Sequence, residues 1–352
     1  MKFIHIADVH LGANPDLEYP WGADRKREIW NTFRRVIEET KREKADLLLI
    51  AGDLFHRQPL KKELKEVNGL FRSIPDTKVV LIAGNHDFIQ KNSNYRTFSW
   101  ASNVTGLWGR ELEMAEFPEI NTCVYGLSYW SREIREPLYE GIYSGKPAGF
   151  QILLAHGGDE KHIPIRREAL GRLEFDYIAL GHIHKPQVLI KDRAAYAGAL
   201  EPIDRNDTGP HGYIQGEYNE RGECRIEFRP LAARSYWDLE VSVPENSTWF
   251  ELEDSIKKQI EARGSQNIYR LTLDGIREEG AALGTEHLKT LGNIVEIRTK
   301  FREEWGYDQL AKKYEGTFLS EYIRQFQGRE LNETDKKALY YGVKALMETR
   351  RE

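Results

Sequence analysis

The chain has 352 residues, a net charge of −5, 40% hydrophobic and 30% charged residues, and two cysteines. Its length predicts two domains rather than one core, and its cysteine count excludes a disulfide framework or a thiolate metal site. No apolar run approaches the ~20 residues of a membrane helix, and no basic field advertises nucleic acid.

The opening MKFIHIADVH lacks the charged n-region and small-residue cleavage site of a secretory signal. It reads as a core strand, and the cytoplasm is the expected location. A polar loop with Pro15, Pro20 and Trp21 follows. Next comes REIWNTFRRVIEETKREK, in which Ile29, Trp30, Phe33, Val36 and Ile37 recur at helical spacing. DLLLIAGD is a second strand and KKELKEVNGLFRSI a second helix, closed by Pro75 before a third strand at KVVLIAGN. This alternation predicts an α/β layered fold. The segments TCVYGLSYW, AAYAGAL, GYIQGEY and CRIEFRPL are short and strand-like. They predict a second, more antiparallel sheet packed near the first. A boundary is expected near Ala232–Ser235, followed by a small β-α-β-α-β unit running from YWDLEVSV to NIVEIRTKF. The remainder reads as helices: one carries Tyr307, Leu310, Ala311 and Tyr314. After a break at Gly316 and a cap at Thr317, a second carries Phe318, Tyr322, Ile323 and Phe326. A last helix starts near Thr334.

Five short polar motifs each end an apolar run. They are Asp8-Val-His10, Gly52-Asp53, Gly84-Asn85-His86-Asp87, Ala155-His156-Gly157 and Gly181-His182-Ile183-His184. In an open parallel sheet, ligand groups gather at the carboxyl ends of strands, so five tips are expected to face one another across one edge. His, carboxylate and amide donors without thiolates favour Mn²⁺, Fe²⁺ or Zn²⁺, and two such ions would add about four positive charges locally. Asp8 and His10 alternate along the chain, so both reach the site only if the strand bends. Asp53 suits a bridging carboxylate, because two oxygens can hold ions ~3.5–4 Å apart. His86, followed by Asp87, suits a general acid or transition-state stabiliser whose imidazole the neighbouring carboxylate orients.

These motifs resemble the signature of the calcineurin-like metallophosphoesterases. Asp8-Val-His10-Leu11-Gly12, Gly52-Asp53-Leu54-Phe55-His56, Tyr95, Trp100-Ala101-Ser102-Asn103-Val104, Tyr177 to Lys185 and Thr208-Gly209-Pro210-His211-Gly212 are similar to the SbcD and YhaO branch of DNA repair exonucleases. The resemblance covers residues 1–235. It implies a four-layer α/β/β/α sandwich at 1–233, a small α+β DNA-binding cap at 234–302 and a helical tail at 303–352. It implies one ion held by Asp8, His10, Asp53 and His184, and a second held by Asp53, Asn85, His156 and His182. It further implies His86 as the catalytic histidine supported by Asp87, and His56 near the scissile phosphate. Mn²⁺ is the implied ion, with iron, zinc or magnesium as alternatives. DNA is the implied substrate, a coiled-coil SbcC-like ATPase the partner, and a homodimer the assembly.

Lys91, Arg96 and Lys185 follow site motifs and are expected either to contact DNA phosphates or to form a solvated rim. Trp21 either stacks on a strand end or packs its own loop. The aromatic stripe of the tail either docks on a partner or covers its own core. The expected activity is that of an Mn²⁺-dependent DNA exonuclease with single-strand endonuclease capacity. The rivals are a phosphoesterase for small phosphoesters or cyclic nucleotides, and an inactive scaffold.

Overall fold

The computed structural model describes residues 1–144, 149–244, 247–278 and 284–349. The chain divides into two compact units: Met1–Trp237 with Gly264–Ile268, and Asp238–Arg263 with Tyr269–Glu352.

The first unit opens with β1 (Lys2–Ile6), α1 (Gly22–Glu43), β2 (Leu47–Ala51), α2 (Lys61–Arg72) and β3 (Lys78–Ile82). A single turn, α3 (Asn94–Thr97), leads to β4 (Val104–Gly106), β5 (Glu113–Phe117) and β6 (Thr122–Gly126). Then come β7 (Phe150–His156), α4 (Arg167–Arg172), β8 (Tyr177–Gly181), β9 (Gln187–Ile190) and β10 (Ala194–Tyr196). A hairpin of β11 (Gly212–Tyr218) and β12 (Cys224–Pro230) completes the unit.

Two six-stranded sheets result, ordered β12-β11-β1-β2-β3-β4 and β5-β6-β7-β8-β10-β9. They stack through Phe3, Leu49, Val80 and Ile82 on one side and Val124, Ile152, Leu154 and Tyr177 on the other. The alternate residues face outward. Ile4, Leu48 and Val79 meet Ile29 and Phe33 of α1 and Leu64 and Phe71 of α2. Leu153, Ile178 and Leu180 meet Leu170 and Phe175. This is a four-layer α/β/β/α sandwich, and it explains the unbroken apolar runs. A strand covered on both faces has no polar side to alternate with, and each buried aliphatic contributes roughly 1.5–3 kcal/mol.

Two expectations need correction. The five tips do not share one edge: β1, β2 and β3 belong to the first sheet, and β7 and β8 to the second. The second sheet is also less antiparallel than expected, since β6, β7, β8 and β10 run parallel. The segments GYIQGEY and CRIEFRPL instead extend the first sheet, as β11 antiparallel to β1 and β12 antiparallel to β11. Between the sheets lies the fully buried His5 of β1, whose Nδ1 pairs with the Tyr177 hydroxyl at 2.9 Å.

Beyond Ser235 the chain forms β13 (Tyr236–Val243), α5 (Trp249–Arg263), β14 (Ile268–Glu278) and, after a 3₁₀ segment at Thr285–Leu291, β15 (Ile294–Glu304). The strands form one sheet, with β14 and β15 parallel, and α5 buries Leu252, Ile256 and Ile260 at four-residue spacing. Helices α6 (Tyr307–Lys313), α7 (Phe318–Arg324) and α8 (Glu333–Glu348) follow. Leu310, Leu319, Ile323, Leu339, Val343 and Met347 join a common core, so the tail's apolar stripe covers itself. Gly316 takes a φ of +76° and Thr317 stands at the N-cap of α7.

Candidate metal centre

The tip of β1 bends through backbone strain. Asp8 and His10 adopt φ values of 49° and 50°, in the left-handed region that non-glycine residues rarely enter, at a cost of about 1–3 kcal/mol each. The bend survives because the ladder continues through it: the Asp8 and His10 amides donate to the Gly52 and Asp53 carbonyls at 3.2 and 3.0 Å. Two alternate positions thereby turn to the same place. Asp53 and His182 are likewise left-handed, at φ 50° and 96°. Gly84 is required here on space alone, since a Cβ would lie 2.3 Å from Asp53 Oδ1.

Two donor sets converge. In the first, His10 Nε2 lies 3.1 Å from His184 Nε2, and Asp8 joins them within metal-ligand reach. In the second, Asn85 Oδ1 lies 3.0 Å from His156 Nε2 and 3.1 Å from His182 Nδ1. Asp53 Oδ2 stands between the sets, 3.9 Å from His10 Nε2 and 3.5 Å from His156 Nε2. Its Oδ1 accepts the His86 amide at 2.8 Å. All seven side chains therefore reach one place from opposite sheets.

The outer nitrogens show what the inner ones are for. His156 Nδ1 donates to the Ala51 carbonyl at 2.8 Å, His184 Nδ1 to Asp207 at 3.0 Å, and His182 Nε2 to Asp159 at 2.8 Å. Each bond fixes a tautomer whose remaining nitrogen presents a lone pair inward. Lone pairs of His156 and His182 consequently face the Asn85 carbonyl oxygen, an arrangement that repels unless a proton or cation lies between. This donor set fits two divalent ions of the borderline class, with anchored imidazoles as such sites use. Protonation follows the same logic. Burial disfavours the charged form of His156 and His184, yet Asp53 and Asp8 lift the first, and Asp207, Asp8 and Asp53 the second, to about 9. Burial would raise Asp53, but His156 and His10 hold it far below the ordinary carboxylate range. Burial raises Asp8 to about 6 against the pull of His156 and His184.

Two acidic partners, Asp159 and Asp207, are absent from the sequence reading. They sit in ordinary polar turns, and nothing local marks them. The Asp207→Asn variant keeps the shape but weakens the acceptor of His184. It is expected to lower Mn²⁺ affinity about 10- to 100-fold, read by calorimetric titration; unchanged affinity would remove Asp207 from the centre.

The assignment of Asp87 as support for the His86 ring needs correction. Its oxygens accept from the Gly84 and Phe55 amides at 2.9 and 3.1 Å and from the Tyr95 hydroxyl at 2.6 Å. Asp87 thus braces the loop from below, fully buried, and burial together with Asp53 raises it to about 7. The His86 ring is held instead through Nδ1, 3.0 Å from the His56 carbonyl. Its centroid lies 4.8 Å from His10 and 4.9 Å from His56. His56 Nδ1 is 3.3 Å from His10 Nδ1. Tyr95 stacks on Trp108 at 4.7 Å, which gives the segment after the Asn-His-Asp motif its role as a floor.

Among the expected DNA contacts, Lys91, Arg96 and Lys185 are exposed, and Arg96 donates to the Trp108 carbonyl at 3.4 Å. Trp21 stacks on Tyr19 at 4.8 Å and 8°, so one ring face is used within its own loop.

The sequence profile described as Metallophos, calcineurin-like phosphoesterase, matches residues 1–186, more than half of the chain. The chain belongs to the calcineurin-like phosphoesterase family. It is a metal-dependent hydrolase by that membership. It is similar to the uncharacterized metallophosphoesterase YhaO of Bacillus subtilis, 28% identical over 302 residues, 79% of this chain and 73% of YhaO. It is also similar to proteins named DNA double-strand break repair protein Mre11. That of Methanocaldococcus jannaschii is 30% identical over 220 residues, 59% of this chain and 58% of the relative. That of Archaeoglobus fulgidus is 30% identical over 284 residues, 68% and 61%. The chain therefore spans less than two-thirds of these Mre11 relatives. No helix among the described residues is long and apolar enough to cross a membrane.

Proposed function

We propose that this phosphoesterase is a two-metal nuclease that degrades DNA from ends, with Mn²⁺ as the working ion and single-strand endonuclease capacity. The observation that carries the reading is Asp53 Oδ2, placed between two inward-facing donor sets with His86 beside it. The similarity to proteins named for double-strand break repair supports DNA as the substrate.

Asp8, His10, Asp53 and His184 would hold one ion, and Asp53, Asn85, His156 and His182 the other. Ions held there would supply a nucleophile at neutral pH and charge to neutralise a bound phosphate. The chain's own residues do the rest. His86 keeps its Nδ1 on the His56 carbonyl, which leaves Nε2 to carry a proton to the departing oxygen. His56, half-buried and lowered by burial and by His86, lines the same approach. Asp87 acts through the loop rather than through a proton. Lys91, Arg96 and Lys185 guide the phosphate backbone, with Trp21 at the loop above.

We assign residues 1–233 to catalysis, 234–302 to a DNA-binding cap and 303–352 to contact with a coiled-coil SbcC-like ATPase. The working form is a cytoplasmic homodimer. The test is hydrolysis of linear duplex DNA with Mn²⁺. His86→Ala is expected to lower the rate about 100-fold or more while calorimetry finds Mn²⁺ binding intact. An undiminished rate sinks the catalytic assignment, and hydrolysis of bis-p-nitrophenyl phosphate without any of DNA sinks the substrate.

A further inference from the structure

An apolar cleft opens beside the metal centre where the outer strands of the two sheets part. Val188 of β9 and Ile226 and Phe228 of β12 line it together with Pro186 and Tyr196. Its walls are continuous with the ligands. Lys185 at its rim follows His184, and Thr208 follows Asp207, which holds His184. The Tyr196 hydroxyl donates to the Gly157 carbonyl at 3.0 Å, one residue beyond His156. Cleft and centre are thus joined through the chain neighbours of His184, Asp207 and His156. The walls are fixed, because Asp192 in the turn after β9 accepts the Ile226 amide at 3.1 Å.

Size and chemistry narrow the occupant. The volume is about 210 Å³, below the ~300–1,000 Å³ of a drug-sized site, which suits one ring system and not a chain. The inner walls are hydrocarbon and aromatic, and the Tyr196 hydroxyl is committed to Gly157. Besides Tyr196, the polar side chains that line it are Lys185, Gln187 and Thr208, the first two exposed. The matching group is flat, apolar on its faces and polar at its edge, and it is tethered to a phosphate. We propose that this cleft is a subsite for one unpaired nucleobase of the strand whose phosphate occupies the metal centre. The proposal rests on the nuclease reading. It implies that the strand end is unstacked before cleavage, with Phe228 supplying an aromatic surface for the base.

The test uses the full chain with Mn²⁺ and phosphorothioate-linked single strands, in which one nucleotide at a time is made abasic. One position is expected where loss of the base weakens binding about tenfold. Val188→Trp, at a residue 52% exposed, fills the cleft and should erase that sensitivity while leaving Mn²⁺ affinity, read by calorimetric titration, unchanged. Phe228→Ala should reduce the sensitivity without filling the space. Indifference of the wild type to every base, or full sensitivity retained in both variants, overturns the subsite. Failure to cut DNA with the small diester still hydrolysed defeats the nuclease reading separately, and the abasic scan then still decides the cleft.

Discussion

Asp53→Asn is expected to lower phosphodiester hydrolysis by about 10⁴-fold, some 5 kcal/mol of barrier, and to abolish thermal stabilisation by Mn²⁺. Asparagine preserves the shape and can still accept the His86 amide, now 2.8 Å from Asp53 Oδ1. It removes the one charge that both donor sets share. Two opposing changes keep the metal-free protein folded. The variant loses the attraction between Asp53 and His156, 3.5 Å apart, and it also loses the repulsion that Asp53 exerts on buried Asp8 and Asp87. The metal-free melting temperature should therefore move by only a few degrees, whereas the metal-dependent rise separates the two proteins. A ligand at a hundred times its Kd stabilises the native state by about 2.7 kcal/mol, and that increment should be seen in the wild type alone. A variant that still gains stability with Mn²⁺ would show that Asp53 is not the shared ligand.

The gathering of the candidate metal ligands was legible in the sequence because its signals are local. An apolar run ending in a short polar motif marks a strand tip by itself, and the five tips carry Asp8, His10, Asp53, Asn85, His156, His182 and His184. What was not legible depends on partners distant along the chain. Asp159 and Asp207 each lie 23 residues from the histidine they anchor, in turns whose composition needs no further explanation. Asp87 was misread for a related reason. Adjacency to His86 suggested a pair, but the chain turns so that the carboxylate points down to Tyr95. The fold shows the same division. Helices α1 and α2 followed from periodicity, whereas strands buried on both faces carry no pattern that says which sheet they join. GYIQGEY was therefore placed in the wrong one. The bend at Asp8 and His10 was anticipated as a need of the site, while its means, two left-handed residues held by the β2 tip, is a matter of tertiary pairing.

His5 gives the fold a measurable acid limit that is independent of the metal ligands. The ring lies between the sheets with no exposure. Burial depresses its pKa to about 3, only partly countered by the nearby Leu180 backbone. In the unfolded chain it titrates near the ordinary 6.5. Between those values the unfolded state binds the extra proton, so stability falls as pH drops below 6.5 and stops falling near 3. At pH 4 the loss amounts to about 3 kcal/mol, from ~1.4 kcal/mol per pH unit. Asp87 works in the opposite sense, because its raised value makes the folded state take up a proton as pH falls from about 7. A single acid-denaturation curve therefore mixes the two. The difference between wild type and His5→Asn isolates the histidine: asparagine can still accept from the Tyr177 hydroxyl but cannot titrate. Denaturant midpoints should find the variant less stable at pH 8 and the gap closing by about 3 kcal/mol towards pH 4. Two parallel curves, or an imidazole resonance of His5 that titrates near 6.5 in the folded protein, would defeat this account of the space between the sheets.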